Sequence, residues 1–293
     1  MSRIFDALRK SERDRAGDGA ASPEDNPQAW RELASAAGAG GDHLDQAPVI
    51  RCQATNGRRP AATWHGAGQE TFRVLHHRLE LLRRVRPLKK LLITSAIPKE
   101  GKTTIAVNLA VALARSSPRV LLIDADLRHP GVHRSLGLPA TAGLADWLEH
   151  RAELGAVLRR VEPYRFFYLS SGQATTSPGE MLRQRELREF LAGAGSLFDW
   201  VLIDSPPLVS LVDAHYLATL TDGVLMVLRQ GVTPRAALEE ALGLLDRAFV
   251  AGAVLNGASD GKHSYYGCYD WQPGSCGEQA PATNGAAGGI PHG

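Results

Sequence analysis

The stretch Ser95-Ala96-Ile97-Pro98-Lys99-Glu100-Gly101-Lys102-Thr103-Thr104 limits what this chain can become more than any other. It follows the apolar run Leu91-Leu92-Ile93-Thr94, which reads as a short buried strand. Residues 105–115 follow it, with apolar side chains at helical spacing. Strand, tight loop and helix form the context of a phosphate-binding loop. Successive backbone N–H groups around Gly101 can face one concavity and hold phosphate oxygens. The helix then starts at the anion and adds its positive dipole end. Within that pattern Pro98, Lys99, Glu100, Gly101, Lys102, Thr103 and Thr104 line the nucleotide. Lys102 reaches the β- and γ-phosphates of ATP, and the Thr103 hydroxyl ligates Mg²⁺. One departure is visible: Ala96 stands where the usual pattern begins with glycine.

Composition sets the frame. With 293 residues, 44% of them hydrophobic and 22% charged, the chain can bury one sizeable core and still carry tails. A net charge of +2 implies no global electrostatic partner, and no nucleic acid is expected. No apolar run approaches the ~18 residues of a membrane span. The first residues lack the apolar core of a signal peptide, so a cytoplasmic location is expected. Cys52, Cys268 and Cys276 have no C-x-x-C spacing, which argues against a disulfide framework and against a zinc or iron–sulfur site.

Residues 1–15 hold a short amphipathic helix, with Ile4, Phe5 and Leu8 on one face. Residues 16–65, rich in Ala, Gly, Asp and Pro, read as a flexible linker. Residues 66–258 read as the folded domain. Its first helix, over 69–84, places Phe72, Leu75, Leu79 and Leu82 on one side. The basic run Arg83-Arg84-Val85-Arg86 and Lys89-Lys90 reads as a solvated helix end. After the phosphate loop come helices over 143–160, 178–193, 211–220 and 235–247, and strands over 119–123, 165–169, 200–203, 224–228 and 251–255. The regular alternation predicts an α/β fold with a mostly parallel sheet between helices. Residues 259–293 read as a disordered tail.

In open α/β sheets ligands sit beyond the carboxyl ends of the strands. Besides the loop, two apolar strands end on acids, at Asp124-Ala125-Asp126 and at Asp204-Ser205-Pro206-Pro207. A metal–nucleotide brings positive charge that such acids complement. Asp204 would orient the metal. Of Asp124 and Asp126, one is expected to face the γ-phosphate and metal while the other faces away. Arg128 follows at a spacing that returns to the site.

These residues resemble the bacterial tyrosine kinases of capsule and exopolysaccharide synthesis, in their soluble form with a deviant Walker motif and a MinD-like sandwich fold. The resemblance covers about 69–256. It rests on A-I-P-K-E-G-K-T-T, on L-L-I-D-A-D-L-R-H-P and on V-L-I-D-S-P-P, with support from G-L-A-D-W-L, S-P-G-E-M-L and V-D-A-H-Y-L-A. It implies ATP-dependent phosphorylation of tyrosines in the carboxyl-terminal tail of a neighbouring subunit. The acceptors would be Tyr265, Tyr266 and Tyr269, and the family usually carries a denser run. Lys102 and Thr103 would hold phosphate and Mg²⁺. Asp124, Asp126 and Asp204 would serve the metal and activate the tyrosine hydroxyl, and Asn256 would read the adenine edge. The resemblance also implies a homo-oligomer and a membrane polysaccharide co-polymerase, or chain-length determinant, that activates the kinase at the inner membrane. The family's assembly motif E-x-x-R-x-x-R appears as Glu70, Arg73 and His76, so histidine replaces one permanently charged fork. Two alternatives carry the same loop. One is an ATP-binding adaptor that gates the co-polymerase. The other is an organising ATPase of the septum-site or partition type, which has a lysine where this chain has Ile97.

Overall fold

The computed structural model describes residues 47–52, 67–174, 176–246 and 249–258. Its centre is an eight-stranded sheet whose elements follow the chain as β1 (Val49–Arg51), α1 (Ala67–Arg83), β2 (Lys90–Ser95), α2 (Lys102–Ala114), β3 (Val120–Asp124), α3 (Val132–Leu136), α4 (Leu144–Leu148), α5 (Leu154–Val157), β4 (Leu158–Glu162), β5 (Phe166–Leu169), α6 (Pro178–Met181), α7 (Arg185–Leu197), β6 (Trp200–Asp204), α8 (Val212–Thr219), β7 (Gly223–Arg229), α9 (Arg235–Gly243) and β8 (Val250–Asn256). The strand order is β1-β4-β5-β3-β6-β2-β7-β8. Every pairing is parallel except the β4–β5 hairpin. The expected mostly parallel sheet between helices is therefore what forms.

The two faces of the sheet are sorted by strand alternation. Leu121, Ile123, Val201 and Ile203 face one core with Trp147, Phe190 and Leu191. Val120, Leu122, Trp200 and Leu202 face the other, under α2 and its Ile105 and Leu109. Asp124 and Asp204 continue the second set, and β3 and β6 pair them in register. The alternation thus delivers both carboxylates to the face that carries α2.

Three expectations need correction. The helix expected over 143–160 is two short helices followed by β4. The helical pattern breaks between Leu148 and Leu154, and Leu158 and Val161 fall on opposite faces of the sheet, one in each core. The helix expected over 178–193 breaks after Met181 and resumes at Arg185. The stretch read as linker contains β1, which pairs with β4 through Val49 and Ile50. Cys52 follows that strand and is half-buried, so it does not sit in a tail, and burial raises its thiol pKa to about 11. The amino-terminal helix, the tail tyrosines and the other two cysteines lie outside the described residues.

The basic run after α1 is tied into the fold. Arg83 ion-pairs with Glu80 at 3.6 Å, Lys89 donates to the Gly195 carbonyl at 2.6 Å, and Lys90 ion-pairs with Asp222 at 3.5 Å. The same helix anchors β6. The indole N–H of fully buried Trp200 donates to Glu80 at 3.1 Å, and Arg83 stacks 4.9 Å from the Trp200 ring. Replacing Trp200 by Ala is expected to cost about 3–5 kcal/mol, read as a lowered midpoint in equilibrium urea unfolding.

Candidate active site

Three neighbouring strands, β3, β6 and β2, end at one point of the sheet edge. β2 runs into the loop 96–101, and α2 starts immediately after Gly101. The loop needs two left-handed residues to turn this tightly, Lys99 at φ 65° and Gly101 at φ 97°. At Gly101 the left-handed φ favours glycine, and any side chain would also push the Asn256 amide aside. Ala96 is not among the residues with positive φ, so the missing first glycine costs the turn nothing. Its carbonyl accepts from the Val209 N–H at 3.3 Å.

Thr103, in the first turn of α2, donates its hydroxyl to Asp204 Oδ2 at 2.7 Å. Lys102 is buried beside them, and its charge acts on the Asp204 carboxylate. Asp124 is fully buried and its Oδ2 accepts from the Gly131 and Val132 N–H groups at 3.2 and 3.1 Å. Asp126 Oδ1 accepts from the His129 N–H at 3.0 Å. The D-x-D stretch divides because β3 ends at Asp124: a continued strand would put both acids on one face, but the turn after β3 leaves Asp124 over the α2 face and aims Asp126 at the His129 N–H.

Burial dominates the electrostatics. It pushes the Asp204 pKa up to about 7, against the pull of the Thr103 hydroxyl and the Lys102 charge. Burial first, and the Asp204 charge second, hold the Asp124 carboxyl well above the ordinary carboxylate range. One oxygen of each acid, Asp124 Oδ1 and Asp204 Oδ1, is buried without a hydrogen-bond partner. Buried carboxylate oxygens of this kind are costly unless a donor or a cation meets them. An oxygen-ligated divalent cation fits that donor set, with Thr103 Oγ1 alongside. No group of three His, Cys, Asp or Glu side chains among the described residues makes a cage by itself. Magnesium commonly takes most of its ligands from water and phosphate instead.

Two further expected residues have protein partners. Arg128 is paired with buried Asp213 of α8 at 3.0 Å. Asn256, at the end of β8, donates to the Glu100 carbonyl at 2.9 Å. Two participants had no signal in the sequence. Tyr168 of β5 is buried on the Asp124 face, beside Leu122 in register, and burial followed by the Asp124 charge raises its phenol pKa. Thr233 donates to the carboxylate of fully buried Glu100.

The comparisons with known proteins bear on this geometry. Residues 91–192 match the model of the CobQ/CobB/MinD/ParA nucleotide-binding domain. Over 203 residues the chain is 36% identical to the tyrosine-protein kinase YwqD of Bacillus subtilis, spanning 68% of this chain and 85% of that protein. It belongs to the bacterial tyrosine-protein kinases. A second member of the family, Wzc of Salmonella typhimurium, is 32% identical over 186 residues, 62% of this chain but 26% of Wzc. The kinase domain of the Escherichia coli tyrosine kinase ETK superposes with a TM-score of 0.66 at 28% identity, covering 73% of this chain and 86% of that domain. No helix among the described residues is long and apolar enough to cross a membrane.

Two outcomes check the site. An unfolded carboxyl titrates near 4, so between about pH 4 and 7 folded Asp204 holds its proton more tightly than the unfolded chain does. Its contribution to stability is full below about pH 4 and is lost as pH rises through 7. Asp204→Asn is therefore expected to flatten the decline in melting temperature of the nucleotide-free protein between pH 5 and 8. Gly101→Ala adds about 1–2 kcal/mol of left-handed strain plus the Asn256 clash. Nucleotide affinity measured by calorimetry should fall at least about tenfold.

Proposed function

We propose that this chain is an ATP- and Mg²⁺-dependent tyrosine autokinase that regulates polymerisation and export of an exopolysaccharide or capsule. One observation carries the reading. Two paired, buried carboxylates with unpartnered oxygens lie beside the lysine and threonine of a phosphate loop, in a chain of this family. Magnesium, held by Thr103, Asp204 and Asp124, would supply neutralisation of the charge on the β- and γ-phosphates. Lys102 would hold the transferring phosphoryl group from the same side. The N–H groups of the loop would bind the remaining phosphate oxygens. A tyrosine hydroxyl with a pKa of about 10 needs a carboxylate to take its proton at neutral pH. Asp124 and Asp126 are the acids available for it, with Asp126 the less deeply buried of the two. The surrounding apolar core strengthens each of these electrostatic contacts.

The acceptors in this reading are Tyr265, Tyr266 and Tyr269, the first of them nine residues beyond Asn256. Extended chain reaches at most about 3.6 Å per residue, so that tether spans roughly 30 Å, enough to present the tail to an adjoining subunit. A homo-oligomer and recruitment to the inner membrane by a co-polymerase complete the proposal. Each added phosphate would bring about −1.5 to −2 charges to the tail.

Full-length protein incubated with ATP, Mg²⁺ and the partner's cytoplasmic segment should gain phosphotyrosine, detected by mass spectrometry. Lys102→Ala should lower incorporation at least about 100-fold. Changing Tyr265, Tyr266 and Tyr269 together to Phe should remove the tail signal. Incorporation that ignores both changes would sink the proposal.

A further inference from the structure

The acids flank the phosphate loop on its β6 side. A separate set of side chains holds it from the β7 and β8 side. Glu100 is fully buried although it lies in a loop that binds anions. Its Oε2 accepts from the Ile97 N–H at 2.9 Å, and its other oxygen accepts from the Thr233 hydroxyl. The Thr233 oxygen also accepts from the Arg229 N–H at 2.8 Å. That bond occupies a lone pair and leaves the hydroxyl proton for Glu100. Arg229 Nη1 donates to the Lys99 carbonyl at 3.2 Å, and Asn256 Nδ2 donates to the Glu100 carbonyl at 2.9 Å.

The consequence follows from peptide geometry. In a planar trans peptide the C=O of one residue and the N–H of the next point in opposite directions. Drawing the Lys99 and Glu100 carbonyls toward Arg229 and Asn256 turns the Glu100 and Gly101 N–H groups the other way. Those are loop amides of the kind that bind phosphate oxygens. We propose that Thr233, acting through Glu100 with Arg229 and Asn256, is a positioning residue that holds the phosphate loop in its nucleotide-binding shape. Glu100 is in this view a strut within the loop, and Asn256 orients a peptide plane. The connection from β7 to α9, which carries Thr233, thereby sets nucleotide affinity without touching phosphate.

The inference rests on nucleotide occupying this loop. Calorimetric titration of the full chain with MgADP, beside steady-state kinetics in ATP, separates the two. Thr233→Val keeps the shape and removes the hydroxyl. Its Kd for MgADP and KM for ATP should each rise about tenfold, the scale of one lost hydrogen bond to a charged group. The kcat at saturating ATP should stay within about twofold, because the lost interaction is made in ground and transition states alike. Thr233→Ser restores the hydroxyl and should recover affinity to within about twofold of wild type. A merely destabilised fold would lower the active fraction and kcat instead, and serine would not restore KM. Unchanged affinity in Thr233→Val overturns the proposal. If that variant does not fold, Glu100→Gln takes its place in the same titration, where an unchanged Kd likewise overturns it. Wild-type protein that gives no heat with MgADP refutes the nucleotide reading itself.

Discussion

A hydroxyl from the first turn of α2 meeting a carboxylate at the end of β6 joins the two halves of the site. The Thr103–Asp204 bond of 2.7 Å is made in a region where Asp204 has no exposure to water. An ionised carboxylate is expensive there unless positive charge and donors surround it. Lys102 and Thr103 supply part of that surrounding, and the free Oδ1 of Asp204 marks where it is incomplete. Strand order makes the meeting possible. β6 inserts between β3 and β2, so the loop, Asp204 and Asp124 come from three adjacent strands although the chain separates them widely.

The phosphate loop is more tolerant at its start than at its end. Ala96 is buried, takes no left-handed conformation and only lends its carbonyl to the Val209 N–H. Gly101 has two constraints at once, its φ of 97° and the Asn256 amide against the space of a side chain. The signature therefore varies where sterics allow and holds where they do not. The other left-handed residue, Lys99, carries a strained backbone that its neighbours over-determine, since Arg229 fixes the Lys99 carbonyl and Thr233 fixes the adjoining Glu100 side chain.

Most of the sheet was legible in the sequence because its strands are buried on both faces and read as continuous apolar runs. The strands ending at Ser95, Asp124 and Asp204 were apparent for that reason, and so were the acids that end two of them. Local pattern failed where tertiary contacts decide. Leu158 and Val161 stand at helical spacing, and antiparallel pairing with β5 makes them part of β4, one on each face of the sheet. Val49 and Ile50 are too short a run to stand out from the polar segment around them. The partner of Arg128, buried Asp213, comes from α8, too far along the chain for local pattern to pair them. Thr233 lies 133 residues from Glu100, and Tyr168 lies 44 residues from Asp124 on the neighbouring strand, so no local window could connect them.

The fold alone would not have given a kinase. The nucleotide-binding family model ends at residue 192, before β6, and embraces proteins with other tasks. What adds the kinase is the match to YwqD and to the ETK kinase domain, which is longer than the stretch the family model covers. Beyond that stretch lie β6, β7 and β8. Those strands supply Asp204 on one side of the loop and Arg229, Thr233 and Asn256 on the other. The loop is thus gripped from both directions by elements that lie beyond the residues the family model matches. The strands beside the phosphate cradle matter to its chemistry because they fix both the charge facing the anion and the orientation of the peptides that hold it.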